Sequence, residues 1–120
     1  MQHELELGYL GLEVPDPASL TGFFEEVIGL LPGEPGSPSG LSWRNDDRSY
    51  RITAQPGPAN DAIFVGFEAT GEDAFERIVD RLQSGGFDVE KGSDDELRSR
   101  QVERLIRTKA PWGIPVEIVL

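Results

Sequence analysis

The sequence predicts an α+β fold built from two βαβββ repeats, and three observations predict it. First, Tyr9-Leu10-Gly11-Leu12-Glu13-Val14 is echoed 55 residues later by Phe64-Val65-Gly66-Phe67-Glu68-Ala69. Second, the same offset continues into a helical pattern: Leu20 matches Phe75, Phe23 matches Ile78, Phe24 matches Val79 and Val27 matches Leu82. Third, clusters of Pro, Gly, Asn and Asp separate the apolar runs at the intervals short strands require. A self-match at fixed spacing marks one supersecondary unit used twice. The repeats cover about residues 5–56 and 61–120, within a single domain of residues 1–120.

Each element follows from local chemistry. Leu5 to Val14 is dense in apolar residues and reads as a strand. Pro15-Asp16-Pro17 stops it; Asp16 is placed to cap a helix, with Pro17 at the first helical position. Leu20, Phe23, Phe24, Val27, Ile28 and Leu31 then recur at helical spacing, predicting an amphipathic helix over 17–29 that ends at Gly29. Residues 32–40, rich in Pro, Gly and Ser, form a loop with room for a short edge strand. Leu41–Asn45 and Ser49–Gln55 make a hairpin around Asn45-Asp46-Asp47-Arg48, and Pro56–Asn60 joins the two halves.

The second half repeats the plan. Ala62–Ala69 is a strand, and a helix starting at Thr70 or Gly71 buries Phe75, Ile78, Val79 and Leu82. Gly85-Gly86 ends that helix. Phe87–Glu90 is a short strand, Asp94–Ser99 one exposed helical turn, and Val102–Thr108 a strand. A Pro-Trp-Gly turn within 109–114 leads into the last strand, Pro115–Leu120.

Composition excludes several functions. With 22 acidic against 11 basic residues the net charge is −11, a field that repels nucleic-acid phosphates and anionic lipid surfaces. The absence of cysteine rules out disulfides and thiolate metal sites, and nothing speaks against a cytoplasmic location. No apolar run reaches the ~20 residues needed to span a bilayer, and Met1-Gln2-His3-Glu4 has no secretory-signal character. His3 is the only histidine, so a serine nucleophile has no second histidine to activate it. Gly33-Glu34-Pro35-Gly36 and Gly85-Gly86 lack the lysine spacing of a phosphate loop.

The βαβββ duplication resembles the vicinal-oxygen-chelate superfamily of glyoxalase I, bleomycin-resistance proteins and type I extradiol dioxygenases. Within it, Leu7–Val14, Ser49-Tyr50-Arg51-Ile52, Val65-Gly66-Phe67-Glu68, Arg98–Val102 and Ala110–Ile118 resemble the amino-terminal domain of extradiol catechol dioxygenases. The resemblance implies a curved mixed sheet around a cleft. It further implies that Fe(II), or Mn(II), sits only in a following catalytic domain, held by two histidines and a glutamate.

The resemblance also places potential metal ligands on the first and fourth strands of each repeat. Those positions are Tyr9 and Arg51 in the first repeat, Phe64 and Glu117 in the second. Phe64 coordinates nothing, Arg51 is a fixed cation, and Tyr9 is a ligand only once deprotonated, from an ordinary pKa of about 10. Glu117 alone is a competent donor, so Tyr9, Phe64 and Glu117 are read as vestigial metal positions, with no catalytic residue and no cofactor in this chain. Glu117 is expected to pair with Arg51 across the cleft, to face a ligand, or to meet solvent. Tyr9, Trp43, Arg51, Phe64, Trp112 and Glu117 are the candidate cleft residues. For Trp43, Tyr50 and Trp112, packing in the core or on a sheet face competes with a cleft or interdomain surface. Arg98, Arg100, Arg104 and Arg107 are expected to pair with nearby acids such as the 94–96 run.

Two functions follow as expectations. One is a non-catalytic amino-terminal domain supporting a carboxy-terminal catalytic domain. The other is a freestanding homodimer of the bleomycin-resistance type, holding an aromatic small molecule. A stand-alone enzyme with unusual ligands is disfavoured by the substitutions at the ligand positions.

Overall fold

Apolar residues at alternate positions become strands, and each strand here finds its partner through that alternation. The computed structural model describes residues 4–34 and 41–120. His3 and most of the predicted 32–40 loop lie outside the described residues. The chain divides into two compact units, one of Tyr9–Ile63 and one of Phe64–Leu120 together with the residues through Gly8.

In the Tyr9–Ile63 unit, the strands are β1 (Leu5–Val14, from Tyr9 onward), β2 (Leu31–Pro32), β3 (Leu41–Arg44) and β4 (Ile52–Pro56). Their order is β2-β3-β4-β1. β3 and β4 form the expected antiparallel hairpin, while β1 and β4 run parallel, with Leu10 beside Ile52 and Gly11 beside Thr53.

The segment predicted as one α-helix takes a different form. Pro17–Ser19 is a 3-10 turn and Gly22–Ile28 a π-helix, and neither buries a residue. The Asp16 side chain caps nothing; its backbone carbonyl accepts from Ser19 instead. The wide turn shows where it closes: the amides of both Gly29 and Leu30 donate to the Phe24 carbonyl. Gly29 ends it at φ 94°, a left-handed conformation that costs glycine little.

The second unit holds β5 (Asp61–Ala69, from Phe64 onward), α1 (Glu72–Ser84), β6 (Glu90–Lys91), α2 (Asp94–Arg100), β7 (Leu105–Lys109) and β8 (Pro115–Val119). Its strand order is β5-β8-β7-β6, with β5 and β8 parallel and the other pairs antiparallel. α1 lays Ala74, Phe75 and Ile78 onto Ala69, Ile106 and Ile118 to make the core. Arg104 covers the Phe75 ring at 4.3 Å and is held there by Glu72 and Glu76. β7 starts three residues later than predicted because Val102 closes α2 by donating to the Leu97 carbonyl. Gly8 keeps β1 tight in this unit, since a Cβ there would lie 3.1 Å from the Gly66 carbonyl oxygen. Among the described residues no helix is long and apolar enough to cross a membrane.

Candidate functional site

β8 alternates sharply. Val116 and Ile118 face the core under α1, so Glu117 between them faces the opposite side of the sheet. Its side chain is fully buried, at 0 % exposure. A buried carboxylate needs positive charge around it, and two arginines supply it. Arg107 stands directly across on β7 and donates from Nη2 at 3.0 Å. Arg100, the last residue of α2, forms a two-pronged pair: Nε at 3.0 Å from one carboxylate oxygen and Nη2 at 2.9 Å from the other.

The Arg100 guanidinium also covers the Phe64 ring, 4.6 Å from its centroid. Phe64 reaches it because β5 pairs Gly66 with Glu117, so position 64 projects on the same face two residues back. Glu96 completes the cluster. It accepts from Ser93 as the N3 residue of a capping box that starts α2, and from Arg107. Arg107 holds the Glu96 carboxyl below its ordinary value near 4.5. The bond to Glu96, with Glu117 second, raises Arg107 in turn.

The Tyr9–Ile63 unit places its candidates differently. Tyr9 and Tyr50 are buried against each other with ring centroids 5.5 Å apart. Trp43, at 1 % exposure, packs on Phe24 at 4.8 Å and donates its indole N–H to Glu25 at 3.1 Å. Arg51 donates to Asp46 from Nε at 2.9 Å and Nη2 at 2.6 Å, which lowers the Asp46 carboxyl below its ordinary value.

Three expectations need correction. Glu117 does not meet solvent. Trp112 does not pack in a core: it stands 78 % exposed, on the turn closed by the Gly113 amide on the Ala110 carbonyl. The strand register also sets Thr53, not Arg51, in the place that corresponds to Glu117. Gly66 lies beside Glu117, and Gly11, its match 55 residues earlier, lies beside Thr53. The arginine cluster pairs as expected for Arg98 with Asp95 and Arg107 with Glu96, but Arg100 and Arg104 reach beyond that run.

These residues do not suit a metal. Among the described residues no three His, Cys, Asp or Glu side chains converge to hold one. In the second unit, the one carboxylate at a ligand position already accepts three arginine N–H bonds. A carboxylate so engaged, and neutralised, is a poor base, nucleophile or ligand.

Comparison with known proteins agrees with the resemblance. The model of the dihydroxybiphenyl dioxygenase BphC D1 family matches residues 7–57. Biphenyl-2,3-diol 1,2-dioxygenase of Pseudomonas sp. (strain KKS102) is 33 % identical over 112 residues, covering 93 % of this chain and 38 % of that protein. 3-Methylcatechol 2,3-dioxygenase of Pseudomonas putida F1 is 34 % identical over 112 residues, with 93 % and 38 % covered. The crystal structure of a catechol 2,3-dioxygenase superposes with a TM-score of 0.88 at 26 % identity, over 99 % of this chain and 40 % of that one. The chain matches the amino-terminal domain of type I extradiol dioxygenases. It spans about 38 % of the length of the curated relatives it matches.

Sequence reasoning named Glu117 and Phe64 but missed Arg100 as their common neighbour. No pattern in the sequence pairs them, because an arginine in a helix's last turn marks the helix end and needs no side-chain partner.

Proposed function

We propose that this chain is a non-catalytic amino-terminal domain of an extradiol catechol dioxygenase, one domain over residues 1–120 made by duplication of a βαβββ unit. Its work is to support a carboxy-terminal domain that holds Fe(II), or Mn(II), in the cytoplasm. In the whole protein that metal would bind both catechol oxygens and dioxygen; no residue of this chain takes part in the step. One observation carries the reading. Similarity extends over 93 % of the chain, yet the strand positions suited to ligands hold Phe64 and an arginine-locked Glu117.

The test is a ring-cleavage assay of the purified 120-residue chain with ferrous iron and 2,3-dihydroxybiphenyl. No coloured product is expected, and turnover by the chain alone would overturn the reading. A second reading, a freestanding homodimer that binds an aromatic small molecule, draws support from the exposed Phe23, Val27, Ile28 and Leu31 of the Tyr9–Ile63 unit. Sedimentation equilibrium separates them: a stable dimer with saturable binding of a planar aromatic favours the second.

A further inference from the structure

A carboxylate buried on a sheet face must be compensated, either by a bound cation or by the chain itself. Around Glu117 the chain supplies positive charge from Arg100 and Arg107. Glu96 and Glu117 face Arg100 and Arg107, two charges of each sign, linked in one chain of contacts. The planar guanidinium of Arg100 meets both oxygens of Glu117 while the Phe64 ring covers it.

Arg100 is also fixed from behind. Its helix is started by the Ser93–Glu96 capping box and stopped one residue later, where Gln101 turns at φ 59°. Glu96 on the same helix is tied to Arg107 on β7, so α2 is fastened to the sheet at both ends. The fork that holds Glu117 is therefore pre-set by the backbone and needs little ordering to form.

We propose that Arg100 is the resident cation of this face, occupying the space between Glu117 and Phe64 and barring divalent metal from it. A metal ion entering there would meet the guanidinium charge and would have to displace a two-pronged ion pair. Removing Arg100 strips Glu117 of its two-pronged partner and opens the space beside a buried carboxylate to a cation. This stands whether or not the chain works beside a second domain.

The test uses Co2+ as probe, read by visible absorption and by thermal melting, on the wild type, Phe64→His, and Phe64→His/Arg100→Ala. The double variant is expected to gain a Co2+ spectrum, to melt higher with Co2+, and to bind it more tightly than Phe64→His by on the order of tenfold or more. Equal binding by Phe64→His with Arg100 in place would overturn the proposal, and so would a folded double variant that stays silent. If the double variant does not fold, Mn2+ broadening of wild-type NMR signals decides. Selective loss of the Phe64 and Arg100 signals overturns the proposal, and their persistence supports it.

Discussion

The two units share a strand plan but solve burial differently. In both, a parallel pair joins the first long strand to the inner strand of an antiparallel hairpin. The Phe64–Leu120 unit covers its sheet with a 13-residue α-helix that inserts Phe75, and buries a charge on the other face. The Tyr9–Ile63 unit has a 3-10 turn and a π-helix that bury nothing fully, and its buried large side chains are the aromatics Tyr9, Trp43 and Tyr50. At matching positions, Tyr9 meets another ring where Phe64 meets a guanidinium. Thr53 stands where Glu117 stands. One plan therefore tolerates either an aromatic or an ionic filling, provided the polar atoms of that filling are satisfied.

The largest effect should come from the α1 core. Phe75→Ala is expected to cost about 3–5 kcal/mol in urea unfolding, because no neighbour can refill the space of a fully buried ring. A loss under about 1 kcal/mol would mean that α1 is not the main prop of its unit. Next, Arg100→Ala should cost about 3 kcal/mol by stripping a buried carboxylate of its two-pronged partner. Adding Glu117→Gln should recover part of that loss; no recovery would show that packing on Phe64, not charge, was lost.

On the aromatic side, Trp43→Phe removes the bond to Glu25 and part of a buried indole, and should cost about 1–2 kcal/mol. Thr108→Val should change stability the other way. The Thr108 hydroxyl is buried without a hydrogen-bond partner on the core side of β7. A valine of the same shape should be neutral or stabilising by about 1 kcal/mol in the same assay.

The smallest effect is that of pH. The carboxyls of Glu4 and Glu96 in one unit and Asp46 in the other are all lowered by arginine partners: Arg77 and Arg81, Arg107, and Arg51. The folded state therefore holds fewer protons than the unfolded state just below the ordinary values of 4.5 and 3.8. Stability from these groups is complete above that range and falls as pH drops through the folded values. Melting temperature at low salt should decline from about pH 5 downward, and added salt should shrink the part due to Glu4 and Asp46, whose pairs are exposed.

The succession of strands along the chain and the second helix were legible in the sequence because their apolar spacing is strict, as in Val65-Gly66-Phe67 and Phe75-Ile78-Val79-Leu82. The first crossover was not. Over two turns, Phe23, Phe24, Val27 and Ile28 suit a π-helix as well as an α-helix, and periodicity does not show that Phe23, Val27 and Ile28 stay exposed. Candidate positions were legible one at a time, Glu117 above all. Their partners were not, because Arg100 meets Glu117 through a loop and a strand whose register only the fold defines.

The residues just before Tyr9 belong with the later-made of the two units. Glu4 accepts from Arg77 and Arg81 on α1, and its carbonyl takes the Thr70 amide. On the ribosome, Tyr9–Ile63 is finished before α1 emerges, while residues 4–8 wait a few seconds for their partners at roughly 5–20 residues per second. The order of synthesis and the order of assembly therefore disagree at this one short stretch. A bulky group joined there would burden the later of the two units, although it is attached ahead of the earlier one.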